Sequence, residues 1–110
     1  MVKRKRRSTK SYHQLNKYDL SEIKQKIDDG SYLIRENAKQ SAYQDFGWEI
    51  SDIKKFYKRL KLKYFYKTEN SKNIPGVVID AYKAHLFGED VYTHFYINDD
   101  LLVINSFHRQ

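Results

Sequence analysis

The sequence predicts an α+β domain in which N-terminal helices pack on one face of an antiparallel β-sheet. Two observations predict it. The apolar period changes from about 3.6 residues in the first half of the chain to about 2 in the second, with the switch near Lys61. The strand-like runs "VVIDAYKAHL", "VYTHFYI" and "LLVINSF" are joined only by "FGED" and "NDD", connectors short enough to force hairpins. Helices followed by a meander of strands make a two-layer α+β fold.

Taken in order, residues 1–16 ("MVKRKRRSTKSYHQLN") have no periodicity and read as a disordered basic arm, which leaves 17–110 as a single domain. A first helix is punctuated by Asp19 as N-cap, Glu22 closing a capping box, Tyr18 and Ile23 placed for a hydrophobic staple, and Gly30 as its stop. Leu20, Ile23 and Ile27 form its apolar face. "RENAKQSAYQDFG" predicts a second helix with Ala38, Ala42, Tyr43 and Phe46 on one side. "SDIKKFYKRLK" predicts a third from Ser51, burying Ile53, Phe56, Tyr57 and Leu60 and turning Lys54, Lys55, Lys58, Arg59 and Lys61 outward. "KLKYFYK" alternates as a strand, with Leu62, Tyr64 and Tyr66 inward and Lys63, Phe65 and Lys67 outward. "ENSKNIPG" is a polar loop holding the only proline.

Composition narrows the function classes. The chain has 110 residues, enough for one core, and its ten Tyr and six Phe make that core rich in rings with a polar edge. Without cysteine, a disulfide framework or a thiolate metal site is excluded, and a reducing cytoplasm fits. No apolar stretch approaches the roughly 20 residues of a membrane span, so a soluble intracellular protein is expected. The net charge of +7 is uneven. Lys3, Arg4, Lys5, Arg6, Arg7 and Lys10 carry six positive charges without an acid, and removing them from the 21 Lys and Arg leaves 15 basic against 14 acidic residues. From Lys54 to Lys67 seven further cations run without an acid. Two basic patches on a nearly neutral body are the footprint of a protein that meets a polyanion such as nucleic acid, and equally of a solvated tail and helix face.

Side-chain parity can be followed across the hairpins, because opposed residues in a ladder share a face. A three-residue loop at Asn98–Asp100 sets Ile97 opposite Leu101, and Tyr92 opposite Ser106. A four-residue loop at Phe87–Asp90 sets His85 opposite Tyr92. The face for the helices then carries Val78, Ala84, Leu86, Val91, Phe95, Ile97, Leu101 and Val103. The other face carries Ile79, Lys83, His85, Tyr92, His94, Tyr96, Leu102, Ile104, Ser106 and His108, joined by Lys63, Phe65 and Lys67. Ammonium groups neutralise phosphates and rings offer stacking platforms, so Lys63, Phe65, Lys83, His85, His94 and Tyr96 are candidate substrate-binding residues. Tyr and His are also common on ordinary solvated sheet faces.

The motifs "YFYK", "IDAY", "DVYTHFYI" and "LLVINSFH", in this order after an amphipathic helix of the type "LSEIKQKIDDG", resemble the MqsR family of bacterial type II toxins over about residues 18–110. The resemblance implies a RelE-like α+β fold, messenger-RNA interferase activity without a cofactor, and a cognate MqsA-like antitoxin. In that family the lysine ending the FYK-type strand, a tyrosine after valine in the central strand, a lysine after the last SF pair and a glutamine before the DxY-type triplet are regarded as the active residues. Lys67 matches the first and Tyr92 the second. His108 stands at the last lysine, and Ile79 at the glutamine.

An imidazole with an ordinary pKa of about 6.5 both takes and gives protons near neutrality, whereas a lysine near 10.4 does not. The expected catalytic set is therefore His108 as general acid or base, Lys67 stabilising phosphate charge and Tyr92 orienting the 2′-hydroxyl or phosphate. A metal site is not expected, because His85, His94 and His108 have no carboxylate at ligand spacing. The substrate implied is mRNA, free or on the ribosome. The rival reading from another class is a non-catalytic RNA- or DNA-binding module, or a protein-interaction domain with an acidic partner, using the same surface. The basic arm has three open roles: adding nonspecific RNA affinity, contacting the antitoxin or standing in solvent. Under the first, deleting residues 1–16 is expected to lower RNA affinity and flatten its dependence on salt while cleavage persists, as a salt titration of binding beside a cleavage assay would read.

Overall fold

The computed structural model describes residues 15–110; all but the last two residues of the basic arm lie outside that range. Three helices, α1 (Leu20–Asp29), α2 (Glu36–Phe46) and α3 (Ile50–Lys58), cover one face of a five-stranded sheet. Its strands are β1 (Tyr32–Ile34), β2 (Phe65–Asn70), β3 (Val78–Leu86), β4 (Glu89–Asn98) and β5 (Leu101–Arg109), in the spatial order β1-β5-β4-β3-β2. The meander β2 to β5 is antiparallel as the short connectors require. β1, whose three residues are too few for an alternation to register, pairs in parallel with β5 and makes the sheet mixed.

Local chemistry sets the helix ends. Asp19 accepts from the Ser21 amide, without the reciprocal Glu22 bond that the sequence suggests. Gly30, at a φ of 76° that L side chains rarely adopt, closes α1 while the Ser31 amide returns to the Lys26 carbonyl. α3 begins one residue earlier than expected, because Glu49 and Asp52 form the capping box. In α2 only Ala38 and Ala42 are buried, and Tyr43 points to solvent.

Both hairpins are tighter than expected. Phe87 and Gly88, and likewise Asp99 and Asp100, take positive φ, the two-residue turn whose twist matches the strands. At β3–β4 this shifts the register by two, to Leu86 opposite Glu89 and Lys83 opposite Tyr92, and leaves every side chain on its expected face. At β4–β5 it shifts the register by one. Leu102 and Ile104 therefore face the helices, and Leu101 and Val103 turn the other way. Asn105 then forms a bulge, so that Tyr92 opposes His108 and the polar residues regain the open face.

A second irregularity lies between Phe65 and Lys67. Leu62–Tyr64 is a 3-10 turn rather than strand, Phe65 turns inward against Tyr82, Tyr66 is exposed, and Lys67 aligns with Ala81.

Rings dominate the core, with Phe56 edge-on to Phe107 and Tyr82 stacked on Phe95. The buried Tyr82 hydroxyl has no hydrogen-bond partner among the described residues, whereas the buried hydroxyls of Tyr57 and Thr93 are paired. The Thr93 hydroxyl donates to the Ser106 carbonyl (2.7 Å), so the Tyr57 hydroxyl must donate to Thr93 at 2.6 Å, and burial pushes the Tyr57 pKa far up. Thr93→Val leaves both groups without a partner and is expected to cost about 3 kcal/mol in chemical denaturation, at about 1–3 kcal/mol per orphaned group. Adding Tyr57→Phe to Thr93→Val should recover about 1 kcal/mol, since one orphan is removed.

Candidate active site

Two rows of side chains cross the open face. Lys67, Ala81, His94 and Ser106 align through successive strand pairings, and Lys83, Tyr92 and His108 form the next row. Same-face rows stand about 7 Å apart, two residues along each strand. Ala81, the small member of its row, leaves a floor between Lys67 and His94.

The hydrogen bonds set the proton positions. The Asn105 amide donates to His94 Nε2 at 2.9 Å, so the proton of a neutral His94 sits on Nδ1 and is given to the Tyr92 hydroxyl oxygen, 3.1 Å away. The Tyr92 O–H is thereby left to point outward. His108 stacks on Tyr92 with ring centroids 5.0 Å apart. Its Nδ1–H donates to the Arg109 carbonyl at 2.8 Å, which turns the Nε2 lone pair toward solvent over the face.

Charge and burial tune the groups. Burial pushes the Tyr92 hydroxyl above its ordinary pKa, and the nearby Glu69 carboxylate adds to this. Burial holds His94 below the usual histidine value. Lys67, exposed, is held above its usual value by its hydrogen bond and ion pair with Glu69 at 3.1 Å. Tyr92 is thus a poor base and a sound proton donor, beside a neutral histidine and a charged lysine.

Not all predicted residues come to this site. Lys83 does, with its ammonium 3.9 Å from the centre of the Tyr66 ring. His85 is held at the hairpin end by Asp90 at 2.7 Å. Lys63 lies in the 3-10 turn beside Tyr64, before the strand begins. Phe65 and Tyr96 are not stacking platforms. Phe65 is turned inward by the β2 bulge, and Tyr96 is 3% exposed, packed with Ile79 and Val103. Ile79, at the family's glutamine position, is likewise buried there. The cations of α3 lie across the sheet on the helical side, where Lys58 pairs with Asp28 and Arg59 covers Phe87. Among the described residues no cluster of three His, Cys, Asp or Glu is placed to hold a metal ion.

Four residues near the site escaped the sequence reading: Tyr66, Glu69, Asn105 and Arg35. The signal for Asn105 was present, since Ile104 and Phe107 are apolar three residues apart where plain alternation gives two or four.

The sequence profile of the family described as "Motility quorum-sensing regulator, toxin of MqsA" matches residues 16–109. The chain belongs to the MqsR toxin family. That match takes in every strand and helix just described. Membership makes it a toxin of a toxin–antitoxin pair, with an antitoxin as partner. No curated protein matches the chain. No helix of this MqsR-family toxin, among the described residues, is long and apolar enough to cross a membrane.

The depressed pKa of His94 has a sign that can be measured. The folded chain binds that proton more weakly than the unfolded chain, so the stability it contributes is whole above about pH 6.5 and is lost as pH falls through the lower folded value. Between about pH 7 and pH 5 the melting temperature should fall more steeply for the natural chain than for His94→Gln. Equal slopes would remove this account of His94.

Proposed function

We propose that this toxin is a metal-independent endoribonuclease that cleaves mRNA by attack of a ribose 2′-hydroxyl on the adjacent phosphate. The observation that carries the reading is the trio around Tyr92: a stacked His108 with its Nε2 lone pair open, a neutral His94 donating to the Tyr92 oxygen, and Lys67 aligned with His94 across Ala81. Such cleavage needs a base, an acid and positive charge over a phosphorane-like transition state, all within one nucleotide's reach.

His108 Nε2 takes the proton of the 2′-hydroxyl as its oxygen bonds to phosphorus. The bond from phosphorus to the 5′ oxygen breaks, and that oxygen takes the outward proton of Tyr92. The tyrosinate left behind accepts the Nδ1–H bond of His94 until it regains a proton, in net terms the one held by His108. Lys67 exchanges Glu69 for a phosphate oxygen, and its charge grows in value as the phosphorane forms. The products are a 2′,3′-cyclic phosphate and a 5′-hydroxyl. The raised pKa of Tyr92 does not prevent this, since a departing alkoxide is far more basic than a tyrosinate.

The reading makes the cytoplasm its place of action and the antitoxin a MqsA-like protein. His108→Ala, Tyr92→Phe and Lys67→Ala should each lower RNA cleavage by about 100-fold or more, with unchanged melting temperatures and no effect of EDTA on the natural chain. Full cleavage by His108→Ala and Lys67→Ala would sink the mechanism. RNA binding without any cleavage by the natural chain would favour the non-catalytic module.

A further inference from the structure

Beside the two catalytic rows the open face is hollowed into a cleft of about 480 Å³. Its floor is His94, Tyr96, Asn105 and Ser106; one wall is Arg35 and Asn37, and the other is the β2–β3 loop at Ser71, Asn73 and Ile74. The volume lies within the roughly 300–1000 Å³ of small-ligand sites. His94 and Ser106 belong both to this floor and to the row that begins at Lys67, so whatever fills the cleft is continuous with a phosphate bound there.

We infer that this cleft is a subsite for one nucleotide of the RNA, in which Arg35 holds the phosphate next to the reacting one and Asn37 and Asn73 read the base. The inference rests on the proposed ribonuclease activity and assigns the origin of its sequence preference.

Three features carry it. No acidic side chain lines the cleft and Arg35 does, so its field favours an anion. Arg35 uses one nitrogen to donate to the Tyr96 hydroxyl at 3.0 Å and makes no ion pair among the described residues, which fixes the guanidinium in place with its other donors unspent. Asn37 spends one amide N–H on the Asn105 carbonyl at 3.1 Å and keeps its carbonyl oxygen. Asn73 engages only its backbone amide, with Ser71 Oγ, and keeps its side chain whole. An amide presents a donor and an acceptor side by side, the pattern that reads a base edge. Ile74 adds an apolar surface for the ring. The wall residues are held independently of any ligand: the Arg35 amide is bonded to Ile104, and Ser71 Oγ accepts from the amides of Asn73 and Ile74.

The test uses the full chain and two readouts. In the first, the four nucleoside 3′-monophosphates are titrated against the natural chain, Arg35→Gln and Asn73→Ala by NMR chemical shift. The expected result is binding to the natural chain with a preference among the four bases, at least 10-fold weaker in Arg35→Gln, and with the preference reduced in Asn73→Ala. In the second, cleavage positions in a random RNA pool are sequenced. The expected result is that the ratio of preferred to other sites falls at least 10-fold in Asn73→Ala, and that Arg35→Gln raises KM more than it lowers kcat. Equal nucleotide binding by the natural chain and Arg35→Gln would overturn the subsite even if the natural chain cleaves RNA. Absence of cleavage by the natural chain would overturn the ribonuclease reading, and the titration would still decide whether the cleft takes a nucleotide.

Discussion

Between Ile104 and Phe107 the last strand has to bury two apolar side chains that stand three residues apart. A regular pleat sends such a pair to opposite faces, so burying both requires one residue to be taken out of the alternation. Asn105 is that residue, and the rest of the open face follows from it. Ahead of the bulge Leu102 and Ile104 fill the core; beyond it Phe107 fills the core and His108 stands over Tyr92. The displaced Asn105 is not idle, because its amide fixes the tautomer of His94. One irregularity thus sets both the position of one imidazole and the protonation of the other.

The second constraint is electrical. Two histidines, two lysines and a tyrosine share a small area, where like charges brought together repel one another. Several contacts relieve this. Glu69 neutralises Lys67, the Tyr66 ring receives Lys83, and burial keeps His94 uncharged. Of these, the Glu69 contact is the one that the proposed mechanism exchanges for a phosphate oxygen.

Much of this was legible in the chain, and the remainder was hidden for identifiable reasons. The helices announced themselves through Asp19 and Gly30 and through apolar faces of the right period. Lys67, Tyr92, His94 and His108 fell on the open face by parity, although by an argument with two compensating errors: a loop one residue too long at Asn98–Asp100 and an unseen bulge at Asn105. Where only one such event occurs the parity failed. Phe65 turned inward and Tyr66 outward, because the bulge in β2 has no partner to cancel it on that side. Arg35 was invisible for another reason, since it sits between a three-residue strand and a helix and comes to the cleft only through the parallel pairing of β1 with β5. Long-range pairing of so short a strand leaves almost no trace in local sequence.

The cationic side of α3 and the face bearing His108 lie on opposite sides of one sheet, with the aromatic core between them. A stretch of polyanion seated over Tyr92 therefore leaves Lys54 and Lys55 untouched, and a ligand on α3 leaves the Nε2 of His108 open. Occupancy of the two surfaces is additive rather than exclusive. A partner seated on the α3 side therefore leaves the residues around Tyr92 uncovered.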